Sequence, residues 1–300
     1  MNHQSVALPA GLHIVATPIG TARDITLRAL DILASADILV AEDTRSLKKL
    51  LTLHNVPIDQ RPVWSYHDHS SEKVRDRILA EIRAGRSVAY ASEAGTPLVS
   101  DPGFDLVRAT VQDGGSVSTA PGPSAVLAAL TLAGLPTDRF AFLGFLPSKA
   151  GPRRKTLSSF AQLPATLVMY ESPRRVQDTL AELCDSLGPD RDAALCREMT
   201  KHFEEILRAP LAALRDSLAG RDIKGECVIA IGPPTAQSVD PDAVDRALAD
   251  ALSRGSLRDA ASEIADVFGI SRKDVYARAL SHAPARQRSG KARRHEGEDG

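Results

Sequence analysis

Carboxylate side chains stand directly after short apolar runs at two places in this sequence. Asp43 follows the run 38–41, and Glu171 follows the run 166–170. Such short runs are typical of buried strands, so both carboxylates are predicted where a strand gives way to a helix. A carboxylate in that position can hold a ligand hydroxyl or accept a proton. Asp43 can equally cap the next helix or pair with Arg45, and the sequence leaves both roles open.

Three further strand-to-helix junctions are rich in glycine and proline: residues 17–21, 92–103 and 120–124. Proline and glycine end regular strand pairing, and glycine lets the backbone come close to a ligand. The first junction matches neither the Gly-x-Gly-x-x-Gly fingerprint nor a P-loop, so dinucleotide or triphosphate binding is not indicated. In the second, Asp101-Pro102 is the expected start of the following helix.

The order of the elements brings these junctions together. Up to about residue 133 the chain alternates strand, loop and helix four times, which predicts an α/β fold with a largely parallel sheet covered by helices. In such sheets the loops that follow the strands share one edge, and ligands bind there. We therefore expect residues 42–45 and the three Gly/Pro-rich loops to converge.

The remaining chain divides by composition. A hinge near residues 133–136 leads into a second α/β region, and a Pro/Ser/Thr-rich linker at 233–241 precedes a helical segment of helix-turn-helix cadence. A nucleic-acid reader and a small packing module both fit that segment. The predicted domains are an N-terminal α/β domain at 11–135, a C-terminal α/β domain at 136–233, a helical module at 242–283 and a disordered tail at 284–300.

Basic side chains supply candidates for contact with the phosphates of a nucleic acid. They form a cluster, predicted as a solvated loop, and two single positions near strand ends: Lys149, Arg153, Arg154 and Lys155, then Arg174 and Lys201. The formal net charge of −1 argues against broad electrostatic capture of nucleic acid. The 4% aromatic content argues against a platform of many stacked aromatic rings.

Several classes of protein are excluded by composition. The three cysteines, Cys184, Cys196 and Cys227, match no metal-ligand spacing and are expected to be buried. Residues 67–69, His-Asp-His, lack a third group at convincing spacing, so no metal is expected. Because no apolar run approaches about 18 residues and no signal-peptide pattern is present, a soluble cytoplasmic protein is expected.

Taken in order, these motifs resemble the tetrapyrrole-methylase superfamily, and within it the members that methylate ribosomal RNA. The superfamily motifs are 14–20, 41–45, 94–97 with 101–103, and 121–124, and the narrower match adds 145–148, 170–174, 197–201 and 224–226. The resemblance spans about residues 12–232 and extends to the helical module. The chain departs from the family at Glu93, where Asp is more frequent, and at Thr21, where Asn is common.

The resemblance implies two α/β domains with S-adenosylmethionine in the cleft between them, and a homodimer. The implied acceptor is the ribose 2′-hydroxyl of a cytidine in the decoding region of 16S rRNA, either free or in the small ribosomal subunit. The cofactor contacts that it carries over are Pro18, Ile19, Gly20, Ala94, Gly95, Thr96, Pro97, Pro121, Gly122, Pro123, Ser124 and, nearby, Gly225.

A hydroxyl group is a poor nucleophile, so a proton acceptor is expected, and among three carboxylates at strand ends Asp43 is preferred over Glu93 and Glu171. Methylation of a corrin or porphyrin stays an alternative. The basic cluster and the helical module favour RNA over that acceptor. A second alternative, from another class, is a helix-turn-helix DNA regulator that binds the nucleotide-like cofactor as an effector.

Overall fold

A computed structural model describes residues 3–67, 70–100, 103–234, 241–268 and 270–282. The predicted helix start at Asp101-Pro102, part of the His-Asp-His stretch and the predicted tail at 284–300 lie outside the described residues. The chain divides after Pro233 into two compact units. The first unit contains both sheets, and the second contains the C-terminal helices.

The first sheet is parallel throughout, as predicted. In the described residues it has five strands in the order β3-β2-β4-β1-β5. Their bounds are β1 Gly11–Val15, β2 Ile38–Ala41, β3 Val63–Ser65, β4 Ser87–Ala91 and β5 Val117–Ala120. The sequence prediction missed β3, because this edge strand has three residues and is only half-buried. A segment that short leaves no recognisable apolar run.

Helices cover both faces of this sheet. They are α1 Leu27–Ser35, α2 Thr44–Leu53, α3 Glu72–Arg83 and α4 Phe104–Gln112, and α5 Ala125–Ala133 follows the last strand. Alternate residues of each strand face opposite sides. Leu39 therefore packs with α1 and α2, whereas Val40 packs with α3 and α4. Burial on both faces explains why these strands read as continuous apolar runs.

The second sheet is mixed rather than parallel. Its strands are β6 Phe140–Phe145, β7 Thr166–Glu171, β8 Asp192–Arg197, β9 Glu205–Pro210 and β10 Cys227–Ile231, in the order β6-β7-β10-β8-β9. Among the described strand pairs of this second sheet, β6–β7 is parallel and the other three are antiparallel. Helices α6 Ala150–Phe160, α7 Val176–Leu187 and α8 Leu211–Ser217 pack on one face.

Helix α5 covers the other face of the second sheet, although it follows a strand of the first. Val126 and Leu130 of this helix pack against Val168, Cys196 and Val228. Its sequence, Ala-Val-Leu-Ala-Ala-Leu-Thr-Leu-Ala, is apolar on nearly every side, although Leu127 on its outer side is 55% exposed. This helix therefore joins the two sheets into one unit.

The basic cluster does not form the solvated loop that was predicted. Residues 150–160 are helix α6, in which Arg153 and Leu157 are buried. The guanidinium of Arg153 donates two hydrogen bonds of 2.6 Å to the carboxylate of Glu182 on α7. This partner lies 29 residues away in the sequence, so the local composition could not reveal it.

The C-terminal unit is helical, as predicted. Helices α9 Pro241–Arg254, α10 Leu257–Phe268 and α11 Arg272–His282 share a core of their own that includes Leu248, Ile264 and Val275. None of the helices in the described ranges combines the length and apolar character that a bilayer crossing requires.

Candidate functional site

Two of the Gly/Pro-rich loops are joined by a short antiparallel bridge. The Thr17 amide donates to the Gly95 carbonyl over 2.9 Å, and the Gly95 amide donates to the Thr17 carbonyl over 3.0 Å. Beneath this bridge the hydroxyls of Thr17 and Ser92 lie 3.0 Å apart, and the Ser92 hydroxyl donates to the Gly95 carbonyl. Thr17 and Ser92 are both buried, so the base of the two loops is dry and hydrogen-bonded.

The third loop is tied to the same base. The Thr96 hydroxyl donates to the Pro123 carbonyl over 2.9 Å. A Cβ atom added at Gly122 would lie 3.1 Å from the Ala16 Cβ, so the two loops are in close contact. The predicted convergence of the three loops at the carboxyl edge of the sheet is confirmed.

The loops bury their base and expose their tips. Gly20, Ala94, Pro121 and Gly122 are exposed, whereas Gly95 and Pro97 are buried. These four exposed positions have small or cyclic side chains and leave the backbone accessible, and the charged side chain of Glu93 is exposed beside Ala94. Such a rim suits a ligand that is bound by main-chain groups and shape instead of by ion pairs.

A segment of the second sheet lies against the first of these loops. The Thr21 amide donates to the Thr200 hydroxyl over 3.2 Å. A Cβ at Gly20 would lie 2.7 Å from the Lys201 Cγ and 2.9 Å from the Met199 carbonyl oxygen. Residues 198–201 therefore pack directly against the loop 17–21, and we call them the wall of this loop.

The wall at 198–201 is strained and tightly held. Glu198 and Thr200 have φ angles of +51° and +62°, which residues with a Cβ rarely adopt. The Lys201 ammonium donates to Glu198 and Glu226 over 2.9 Å each. Gly225 has a φ of +84°, and any side chain there would strike the Glu198 carboxyl group. Strain of this kind is concentrated at functional sites.

Sequence reasoning had assigned to this wall only Lys201, as an RNA contact, and Gly225, as a cofactor neighbour. The motif Arg197-Glu-Met-Thr-Lys201 was the signal that could have identified the rest. In the structure the ammonium of Lys201 is occupied by two carboxylates and its side chain is only 29% exposed. Two of the three N–H donors of this ammonium are used, and its charge is already balanced by carboxylates.

Asp43 is placed beside the loop that follows β4. It is the N-cap of α2, where its carboxylate accepts a hydrogen bond from the Arg45 amide over 2.8 Å and pairs with the Arg45 guanidinium over 3.0 Å. The side-chain and backbone hydrogen bonds from Arg45 lower the pKa of Asp43. Strands β2 and β4 are neighbours whose ends pair at Ala41 and Ala91, so the residues that follow them leave the sheet side by side. Both sequence-derived roles, helix cap and cleft carboxylate, are compatible with this geometry.

Glu171 does not face a cleft. Its side chain is 1% exposed, and its oxygens accept hydrogen bonds from the Ser172 amide, the Thr179 hydroxyl and the Arg175 guanidinium. A carboxylate with this many donors and no solvent access is a structural anchor at the start of α7. Its place at the end of a strand, which is what the sequence shows, did not predict these hydrogen-bond partners.

The predicted RNA contacts differ in their accessibility. Arg153 is 6% exposed and bound to Glu182, so we assign it to the packing of α6 on α7. The exposed basic groups of the set are Lys149, Arg154, Lys155 and Arg174.

Comparison with known proteins decides the family. Residues 11–215 match the family model described as Tetrapyrrole (Corrin/Porphyrin) Methylases, and residues 238–283 match the RsmI C-terminal HTH domain. A protein of Mesorhizobium japonicum, named Ribosomal RNA small subunit methyltransferase I, is 44% identical over 91% of this chain and 92% of its own length. A protein of the same name from Escherichia coli O157:H7 is 40% identical over 93% of this chain and 98% of its own length.

The chain belongs to the ribosomal RNA small subunit methyltransferase I family of the tetrapyrrole methylases. Solved structures of other tetrapyrrole methylases share its fold. A cobalt precorrin-4 methyltransferase aligns with a TM-score of 0.57 at 19% identity, covering 74% of this chain and 94% of its own. A uroporphyrin-III C-methyltransferase from Thermus thermophilus, solved with S-adenyl homocysteine, aligns with a TM-score of 0.53 at 22% identity, covering 74% and 97%.

Proposed function

We propose that this protein transfers a methyl group from S-adenosylmethionine to the ribose 2′-hydroxyl of a cytidine in the decoding region of 16S rRNA. In this proposal it acts in the cytoplasm as a homodimer, on free 16S rRNA or on the small ribosomal subunit. The observation on which the proposal rests is the meeting of three loops of the first sheet beside residues 198–201. The names of its relatives at 44% and 40% identity support the choice of ribosomal RNA.

The residues present fit this cofactor. When bound, S-adenosylmethionine supplies an electrophilic methyl group, and its sulfonium centre offers little for strong ion pairing. The loops 17–21, 92–97 and 121–124 offer accessible backbone on a rigid base, which suits its adenosine and amino-acid parts. Ser124 occupies the N-cap position of helix α5, and within the described residues its side chain makes no capping hydrogen bond. We propose that this hydroxyl and the helix amides hold the cofactor carboxylate.

Residues from the second sheet complete the proposed pocket. Gly225 leaves the space that the Glu198 carboxyl group fills, and Glu198 holds Lys201 against the loop 17–21. This ion pair fixes the wall against Gly20. We propose that the wall sets the width of the cofactor cleft.

Asp43 is the proposed acceptor of the hydroxyl proton. Arg45 lowers the pKa of this carboxyl group, which makes it a weak base toward a free hydroxyl. However, the proton of the ribose hydroxyl becomes strongly acidic as its oxygen forms the new bond to carbon. A carboxylate that stays ionised and correctly placed is then sufficient, and positioning contributes much of the acceleration.

The test uses the purified protein with radiolabelled S-adenosylmethionine and three acceptors: small ribosomal subunits from cells that lack this enzyme, free 16S rRNA, and a precorrin or porphyrin. We expect label in 16S rRNA and none in the tetrapyrrole. Mapping of 2′-O-methyl groups on 16S rRNA from cells with and without the gene locates the acceptor. Label in the tetrapyrrole alone, or a methyl group on a base instead of a ribose, would contradict the proposal.

A further inference from the structure

Three aromatic rings meet on neighbouring strands at one edge of the second sheet. The Phe142 and Tyr170 rings are 4.8 Å apart at 64°, and the Phe145 and Tyr170 rings are 5.5 Å apart at 65°. Phe145 and Tyr170 are register partners near the ends of the parallel strands β6 and β7. Despite its size and apolar character, Phe145 is 59% exposed.

The backbone turns Phe145 outward at an irregularity in β6. The register with β7 shifts between Phe142 and Phe145, and Gly144 within this shift has a φ of +63°. Irregularities of this kind are frequent beside active sites, where they re-aim a side chain. The exposure of the ring is therefore a consequence of the local backbone.

Hydrogen bonds from two arginines hold the backbone of the segment after Phe145. The Arg175 guanidinium donates to the Leu146 carbonyl over 3.1 Å, and that of Arg153 donates to the Ser148 carbonyl over 3.3 Å. Each of these arginines is paired with a largely buried carboxylate, Glu171 for Arg175 and Glu182 for Arg153. The side chains that sequence reasoning assigned to catalysis and RNA contact thus hold the segment next to an exposed ring.

This aromatic cluster adjoins the proposed cofactor cleft. A Cβ atom added at Gly144 would lie 3.2 Å from the hydroxyl of Ser100, at the end of the loop that follows β4. Phe142 and Tyr170 pack in the same cluster as Ile19 and Val99, which belong to two of the cleft loops. A group that rests on Phe145 is therefore beside the cleft.

Exposed positive charge follows both ring-bearing strands. Lys149, Arg154 and Lys155 come within ten residues after Phe145, and Arg174 comes four residues after Tyr170. Exposed aromatic rings beside cations are the combination with which proteins hold unpaired bases and their phosphates. If a second protein chain covered Phe145 instead of RNA, these nearby positive charges would not be needed.

We propose that Phe145, supported by Tyr170, is the platform on which the target nucleobase of the RNA stacks. This inference rests on the proposed function, and it adds the subsite that holds the base while its ribose reaches the cleft. The exposed cations at Lys149, Arg154 and Arg174 contact the flanking phosphates.

The test compares Phe145→Ala, Phe145→Leu, Phe145→Tyr and Phe145→Trp in the full chain. Phe140→Leu is the matched control, because Phe140 is 45% exposed at the opposite end of the same strand. For each variant we measure the affinity for S-adenosylhomocysteine, the affinity for unmethylated small ribosomal subunits with S-adenosylhomocysteine present, and single-turnover methyl transfer at low subunit concentration.

We expect Ala and Leu at position 145 to weaken subunit binding and the low-concentration rate by roughly 5- to 150-fold, the range for loss of one base-stacking contact. Tyr and Trp should retain most of both, and no variant should change the affinity for S-adenosylhomocysteine. Binding by Phe145→Leu equal to that of the wild type would overturn the platform, as would a parallel loss of cofactor affinity. If the wild type binds subunits without methylating them, the proposed function fails while the binding comparison still decides the platform. If it binds none, both proposals are wrong.

Discussion

Substitution of Gly95 by alanine tests whether the bridge between two loops organises the cleft. The φ of Gly95 is +81°, a left-handed conformation that costs a residue with a Cβ roughly 1–2 kcal/mol. The new methyl group would also lie 3.3 Å from the Ile19 Cγ2 atom. Relief of that contact moves residue 95 against Thr17, and each of their two backbone hydrogen bonds contributes about 1 kcal/mol. We expect the free energy of unfolding to fall by about 2–4 kcal/mol.

Gly85→Ala is the matched control. Gly85 stands on the other side of β4 with a φ of +85°, and no described atom lies within 4 Å of the position that its Cβ would occupy. This variant should lose only the backbone term of roughly 1–2 kcal/mol and should bind S-adenosylhomocysteine like the wild type. Gly95→Ala should bind it about tenfold more weakly, because a displacement of Ile19 and the bridge costs about 1.4 kcal/mol of affinity.

The assays are urea unfolding followed by circular dichroism and titration calorimetry with S-adenosylhomocysteine. The difference between the two variants isolates the contact with Ile19 from the backbone strain that both share. If Gly95→Ala is no less stable than Gly85→Ala and binds S-adenosylhomocysteine with wild-type affinity, the bridge does not organise the cleft and the reasoning is refuted.

Three further predictions concern charged groups. Asp43→Asn should slow single-turnover methyl transfer by about 10²-fold with unchanged affinity for S-adenosylhomocysteine, since Asn is an equally good N-cap; a normal rate would show that Asp43 is not the acceptor. Glu171→Gln should lower the free energy of unfolding by about 2 kcal/mol, measured in urea, whereas wild-type stability with lost turnover would restore a catalytic role. Arg153 lowers the pKa of Glu182 in the folded protein. The stabilisation that this ion pair gives the fold is therefore present above the unfolded pKa of about 4.3, and it is lost as the pH falls through the lower folded pKa. Between about pH 5 and pH 3 the wild type should therefore lose stability more steeply than Glu182→Gln, and equal slopes in acid denaturation would contradict this.

Burial of the cysteines shows how far local reasoning reaches. All three were expected to be small buried residues, and the structure confirms that they are free and buried. Burial raises the pKa of Cys196 to about 11 and that of Cys227 to about 11. For Cys196 and Cys227 both results follow from apolar neighbours in the sequence, because these runs become the inner strands β8 and β10, whereas Cys184 lies on helix α7.

Sequence patterns alone predicted the first sheet, except for its short edge strand β3, and the convergence of its loops. Short apolar strands that are connected by helices can pair as a parallel sheet, and in such a sheet the carboxyl ends of all strands lie at one edge. The junctions at 17–21, 92–103 and 120–124 therefore had to converge. That conclusion needs no knowledge of which distant side chains touch.

The role of each charged side chain depends on contacts that form only in the folded protein. Glu171 and Arg153 are residue types that often act in catalysis or binding. In the fold, however, the Glu171 carboxylate accepts hydrogen bonds from Thr179 and Arg175. The Arg153 guanidinium forms an ion pair with Glu182. Likewise α5 packs on the second sheet, and residues 198–201 face Gly20, through contacts between segments far apart in the chain. A local pattern gives the type of a side chain and the direction of its strand. Whether a charge is available for chemistry depends on the partners that folding brings to it.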